Sequence, residues 1–119
     1  MTPKPVLALD LDGVLHPNVS PWRNVYTLPD SPTTGAQDFV HLIQASGWRV
    51  EVHTARCNAP NADESIREWL RDWGFPDMHV SHVKRNASVY LDDRGLRFTG
   101  SWPTLVELER AGVPWNRTA

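Results

Sequence analysis

The chain has 119 residues, with 12 Lys and Arg against 14 Asp and Glu, for a formal net charge of -2. That length supports one core and one domain spanning 1–119, and the slightly acidic balance argues against a general nucleic-acid binder held by phosphate neutralisation. Cys57 is the single cysteine and Met1 to Pro5 carries no signal-peptide pattern, so no internal disulfide or cysteine-based zinc cluster is expected, no apolar run reaches the roughly 20 residues that cross a bilayer, and the expected compartment is the cytoplasm.

Val6 to Leu9 is a continuous apolar run of strand length, the pattern of a central strand buried on both faces. It ends in Asp10 and Asp12. Residues 16–33 hold four prolines among Ser, Asn and Thr and read as a long structured loop. The spacing then predicts a helix from Thr34, with Gln37 as capping-box partner, Phe39, Val40 and Ile43 on one face, and Gly47 as its stop. "WRVEVHT" at 48–54 is the second strand. Asn61 with Glu64 repeats the capping signature, and Ile66, Trp69, Leu70 and Trp73 form the apolar stripe of a second helix ending at Gly74. "DMHVSHV" at 77–83 and "ASVYLDD" at 87–93 are the third and fourth strands, the latter again closing on acids. Pro103 suits the start of a last helix, with Leu105 and Leu108 facing inward, Gly112 closing it and a short fifth strand following at "VPWN", 113–116.

Strands alternating with helices of this length predict an α/β fold with a parallel sheet covered on both faces and right-handed crossovers. Ligands of such sheets bind at the carboxyl ends of the strands. That rule gathers Asp10, Asp12, Thr54, Lys84, Asp92 and Asp93 from four stretches of sequence onto one rim. Carboxylates crowded at one edge repel one another unless a cation sits among them. Hard oxygen donors without a His or Cys cluster favour Mg2+. Magnesium in turn suggests phosphate. Asp10, on the rigid strand end, is the expected nucleophile. Asp12 is expected to protonate the departing alkoxide and then deprotonate the water that cleaves the aspartyl-phosphate. Gly13 lets the backbone approach the phosphoryl group, Thr54 donates its hydroxyl to the phosphoryl oxygens, and Lys84 offsets their charge as a compact ammonium.

"DLDGV" at 10–14, "HTAR" at 53–56, Lys84 and "LDDR" at 91–94 resemble, in order and spacing, the four motifs of the haloacid dehalogenase-like (HAD) superfamily. The resemblance covers roughly residues 6 to 110. It implies a three-layer Rossmann-like domain with strand order 5-4-1-2-3 and a Mg2+-dependent phosphotransferase mechanism on a phosphorylated substrate. Carried over by position, Asp10, Asp12, Asp92 and Asp93 serve the metal, Asp12 through its backbone carbonyl and Asp93 directly or through water. Leu11, Gly13, Thr54, Ala55, Arg56 and Lys84 surround the phosphate. No stretch is long enough for a cap domain, so the resemblance implies a capless member with its flap within residues 16–33. Arg85 follows the lysine where many small relatives have proline, and Val14 replaces the commoner threonine.

Each residue also has a blander role. An Asp after a strand can cap a helix or shape a turn; Arg56 and Arg94 can pair with nearby acids; Trp22 and Arg23 can touch substrate or pack on the surface. Trp69 and Trp73 are expected in the core, Cys57 as a packing residue, and His16, His41, His53, His79 and His82 in structural or solvent roles, since no pair has metal-ligand spacing. Three rival functions stand beside phosphohydrolase. A response-regulator-like phosphoacceptor domain fits the length, but it would place the adjacent acidic pair early and the phosphoacceptor Asp in mid-chain. A metal-dependent nuclease would need a basic groove, and an idle HAD-like binding domain would not need the whole set of residues. An open, capless site suits a small phosphoester or a macromolecular end alike.

Overall fold

The computed structural model describes residues 4–83, 87, 89–92, 96–97 and 100–116, the backbone alone at 92, 96, 97 and 111–116. Strand β1 (Val6–Asp10) leads through a long loop to helix α1 (Ala36–Ala45), then to β2 (Arg49–His53), a 3-10 turn (Ala55–Asn58) and α2 (Ala62–Asp72). β3 (His79–Ser81), β4 (Val89–Asp92), the two-residue β5 (Leu96–Arg97) and α3 (Leu105–Asn116) complete the chain. The strands form one all-parallel sheet in the order β3-β2-β1-β4-β5. This is a parallel α/β fold, with α1 packed on β2, α2 on β3 and α3 on β4.

The register explains which residues make the core. Leu7 pairs with Val50 and Val89, Leu9 with Val52 and Leu91, and Val52 with Val80. Side chains of paired residues share a face, so these seven form one apolar surface, all of them buried. Phe39, Val40 and Ile43 of α1, Ile66, Trp69 and Leu70 of α2 and Leu108 of α3 join the same cluster. Each fully buried leucine or isoleucine contributes about 1.5–3 kcal/mol. Ala8, Glu51 and His79 lie abreast on the opposite face, as do Asp10, His53 and Ser81. Ala8 and Glu51 are buried too. β1 is therefore buried on both faces as its apolar run requires, while the residues beside it on the second face, Glu51 and His53 of β2 and His79 and Ser81 of β3, are polar.

Several boundaries and caps differ from expectation. The expected fifth strand at 113–116 lies inside α3, which continues through Gly112; the segment beside β4 is Leu96–Arg97 instead. α3 is capped by Thr104, whose hydroxyl accepts the Glu107 N–H at 3.2 Å. Pro103 precedes it. α1 starts one residue after Gly35 rather than at Thr34, because Gly35 turns the chain with φ 83. Gln37 makes no cap there; its amide donates to the Trp73 carbonyl at 3.0 Å. Asn61 stands at the start of α2 as expected but in the left-handed region, φ 60, without a side-chain cap. Trp73 is 43% exposed. It follows the last helical residue, where the helical period no longer directs side chains to the core.

Candidate functional site

The carboxyl ends of the strands gather at one rim. Asp10 is in register with His53 and His53 with Ser81, and the Thr54 N–H donates to the Ser81 carbonyl at 3.0 Å. Asp92 ends β4 one residue beyond Leu91, which pairs with Leu9. Asp10, Thr54 and the Asp92 backbone thus come to the same edge of three adjacent strands. The Asp92 side chain, and Lys84, Asp93, Arg85 and Arg94 altogether, lie outside the described residues.

After β1 the chain makes a tight turn. Val14 and His16 donate to the Leu11 carbonyl at 3.2 and 2.9 Å, and Gly13 donates to the His16 carbonyl at 2.7 Å. Leu11, Val14 and Leu15 are sunk in the core. Gly13 is exposed with φ 85, a conformation that favours glycine. The Leu11 amide, expected near phosphate, donates to Asp10 Oδ1 at 2.9 Å, so it steadies the proposed nucleophile instead.

Asp12 is held from two sides. Arg56 Nε donates to its Oδ2 at 2.8 Å and Arg56 Nη2 to its Oδ1 at 2.9 Å. His16 Nδ1 lies 3.0 Å from the same Oδ1. Because the Asp30 N–H donates to His16 Nε2 at 3.2 Å, the ring proton sits on Nδ1 and faces Asp12. Burial raises the Asp12 carboxyl pKa, but the hydrogen bonds from Arg56 and His16 and the Arg56 charge outweigh it and hold the group below its ordinary value. Of the two roles expected for Arg56, phosphate contact and pairing with a nearby acid, the structure shows the pairing. The residue is 4% exposed, and its remaining Nη1 donates to the carbonyls of Asn24, Val25 and Thr27 at 3.2, 3.1 and 3.0 Å. A guanidinium so occupied serves the protein rather than a ligand.

Thr54 is buried, and its Oγ1 accepts the Arg56 N–H at 3.2 Å, capping the 3-10 turn. Among the described residues its hydroxyl proton has no acceptor. Ala55 is exposed beside it. Cys57 packs against the core, and burial, with the Asp63 charge, pushes its thiol up, consistent with a packing residue.

The 16–33 segment is irregular but firmly seated. The Asp30 carboxylate accepts the N–H groups of Val19 and Ser20 at 2.9 and 3.1 Å and the Ser20 hydroxyl. Trp69 Nε1 donates to the Asp30 carbonyl at 3.1 Å, and the Tyr26 hydroxyl to that of Pro60 at 2.9 Å. Trp22, 58% exposed, lies over the Arg56 guanidinium at 4.5 Å. Sequence reasoning missed His16 as a partner of Asp12. The four-residue spacing across a glycine turn was the available signal. Nothing local marked Asp30.

Among the described residues, no three His, Cys, Asp or Glu side chains stand together to hold a metal. The Asp12 carboxylate is taken up by Arg56 and His16. Oxygen of the kind Mg2+ takes is present here in the Asp10 carboxylate, whose Oδ1 also accepts the Leu11 N–H; the Asp92 and Asp93 side chains, expected to complete a metal site, lie outside the described residues. A groove lined by Arg67, Arg71, Asp77, Met78 and His79 opens at the amino end of β3, away from this rim. Among the described residues no helix is long and apolar enough to cross a membrane.

No family model matches the chain, and no curated protein or solved structure is significantly similar to it.

Proposed function

We propose that the protein is a Mg2+-dependent phosphohydrolase of the HAD-like type, a phosphomonoesterase acting through a covalent aspartyl-phosphate on Asp10. The observation that carries the reading is the place of Asp10, at the carboxyl end of the central strand of a parallel sheet, beside Thr54 at the end of the next strand. The order of the four motif-like stretches supports it, as does a parallel sheet in which β1 lies between β2 and β4. On this reading the fold is three-layered and capless, with residues 16–33 as the flap.

In the proposed reaction an Asp10 oxygen attacks phosphorus as the bond to the leaving oxygen breaks, and that oxygen takes its proton from Asp12. Water then attacks phosphorus, returning a proton to Asp12, and the bond to Asp10 breaks to release phosphate. Thr54 donates to the phosphoryl oxygens, and Lys84 offsets their charge. Bound Mg2+ would neutralise charge between carboxylate and phosphate and orient the attack. Arg56 and His16 favour the ionised Asp12, the form in which it meets the water, and oppose the protonated form that the leaving oxygen draws on. The substrate is a phosphoester, either a small molecule or a macromolecular end.

The second reading, an idle binding domain on the same fold, draws on the full engagement of the Asp12 carboxylate. Incubation with p-nitrophenyl phosphate separates the two. Phosphate release that requires Mg2+, stops with EDTA and disappears in Asp10→Asn supports the enzyme; no release under any of these conditions rejects it. Thermal stabilisation by Mg2+ that is lost in Asp10→Asn checks the metal site without relying on turnover.

A further inference from the structure

We propose that Arg56 and His16 are positioning residues, which set the Asp12 carboxylate for reaction and tie that setting to the seating of the 17–33 segment. The inference rests on the phosphohydrolase reading for the role of Asp12, and on geometry alone for the link to the segment.

Arg56 divides its guanidinium between two tasks. One edge, Nε and Nη2, takes both oxygens of Asp12, 44 residues away in sequence. The other nitrogen, Nη1, enters a cup of three main-chain carbonyls contributed by Asn24, Val25 and Thr27. A planar fork with fixed N–H directions satisfies both groups only when they hold one relative position. An unseated segment would leave Nη1 buried without acceptors, and a rotated Asp12 would strand Nε and Nη2. The two therefore order each other.

His16 repeats this arrangement from the other side. Its ring is fully buried, with Nδ1 toward Asp12 and Nε2 receiving the Asp30 N–H. Trp69 meets the ring edge-on with centroids 5.5 Å apart, and its own indole N–H holds the Asp30 carbonyl. Asp30 in turn gathers Val19 and Ser20. Asp12 thus receives three N–H groups, each anchored at its far end to the segment. A reacting carboxylate held in one rotamer by a supporting shell is the arrangement that productive geometry demands, since small misplacements cost large factors in rate.

The test uses the full chain with p-nitrophenyl phosphate and Mg2+. Arg56→Lys is expected to lower kcat roughly 10- to 100-fold while KM stays within about twofold, because the phosphate-binding groups are untouched. His16→Asn keeps a side-chain N–H near the Nδ1 position and is expected to recover most of the rate lost in His16→Ala. A readout independent of turnover comes from trypsin, which cleaves after the exposed Arg23. Cleavage there is expected to rise about tenfold or more in Arg56→Lys. It should rise about threefold in Trp22→Ala, a surface change that removes only the ring over Arg56. A folded Arg56→Lys with wild-type kcat, or His16→Asn no better than His16→Ala, would overturn the Asp12 half of the proposal. Unchanged cleavage at Arg23 in both Arg56→Lys and Trp22→Ala would overturn the segment half. An inactive wild type would remove the phosphohydrolase reading, and the Asp12 half with it, whatever trypsin reports.

Discussion

The Arg56 guanidinium and the Asp12 carboxylate meet edge to edge, with both N–H···O bonds under 3.0 Å, joining the turn after β1 to the turn after β2. Arg56 is buried and the Asp12 side chain 26% exposed, so removing the cation leaves a partly desolvated carboxylate facing only His16. Arg56→Met should destabilise the fold by about 2–3 kcal/mol, below the full cost of breaking a wholly buried pair. Adding Asp12→Asn to Arg56→Met should cost less than the sum of the single changes. Urea unfolding of the four proteins measures this coupling; strict additivity would mean the pair contributes nothing of its own.

Acid should loosen the same region. The Ser20 hydroxyl and the Ser20 and Val19 amides hold the Asp30 carboxyl below its ordinary value of 3.8, overcoming the opposing effect of burial. Asp12 is depressed as well, by Arg56 and His16 against burial. A carboxyl with a depressed folded pKa contributes stability that is present above its unfolded value and is lost as pH falls through the folded value. The melting temperature should therefore drop with acidification below about pH 4, and Asp30→Asn should flatten that drop. Parallel curves for the two proteins across this window would rule out Asp30 as a source.

Two glycines with similar backbone angles should respond differently to alanine. At Gly35, φ 83, an added Cβ would lie 3.2 Å from Trp102 Cδ1, and Trp102 is stacked on Phe39 with centroids 4.7 Å apart. At Gly13, φ 85, the Cβ would meet nothing within 4 Å. Gly13→Ala should cost about 1–2 kcal/mol from the left-handed backbone alone. Gly35→Ala should cost more, because the indole must also shift. Equal losses in denaturant titrations would place the whole cost in the backbone.

The start of α3 depends on one hydroxyl. Thr104 accepts the Glu107 N–H, and the Glu107 carboxylate lies 3.3 Å from the same hydroxyl. Thr104→Ala should cost about 1 kcal/mol, and Thr104→Ser should restore most of it. Comparable stability of the alanine and serine variants would show that the cap contributes little.

Lys84 distinguishes the enzyme from the idle domain. The chain has two lysines, Lys4 and Lys84. If Lys84 offsets charge on the phosphoryl oxygens, Lys84→Met should lower kcat by roughly 100-fold with little change in melting temperature. Lys84→Arg should recover little of it, since a planar fork does not replace a compact ammonium. Full activity in Lys84→Met would exclude it from the reaction.

The parallel α/β character was legible because β1 and β2 are apolar at every position that meets the core, and because the stripe of Ile66, Trp69 and Leu70 repeats at helical spacing. Helix stops were legible at Gly47 and Gly74, which take up φ 92 and 79. Helix starts were not. Capping-box patterns at Thr34 and Asn61 matched in sequence, but the chain entered both helices through left-handed residues, and Gln37 found a partner on Trp73 instead. The "VPWN" segment had the composition of a strand. It has no place in the sheet, because Leu96–Arg97 lies beside β4 and α3 runs on through it.

At the candidate site the sequence was enough to place Asp10 at the end of a buried strand and Asp12 just beyond it, since the apolar run stops there. Tertiary structure alone decided what surrounds them. Arg56, expected near phosphate or paired with an acid, bonds to Asp12 and to three carbonyls of a loop some thirty residues away. His16 has the structural role expected of it, but its partners, Asp12 and the Asp30 amide, come from the fold. Residue type and local spacing say what a side chain can donate or accept. Which acceptor it meets depends on how distant segments close over it, because a buried guanidinium or imidazole must satisfy its N–H groups with whatever the folded chain brings within reach.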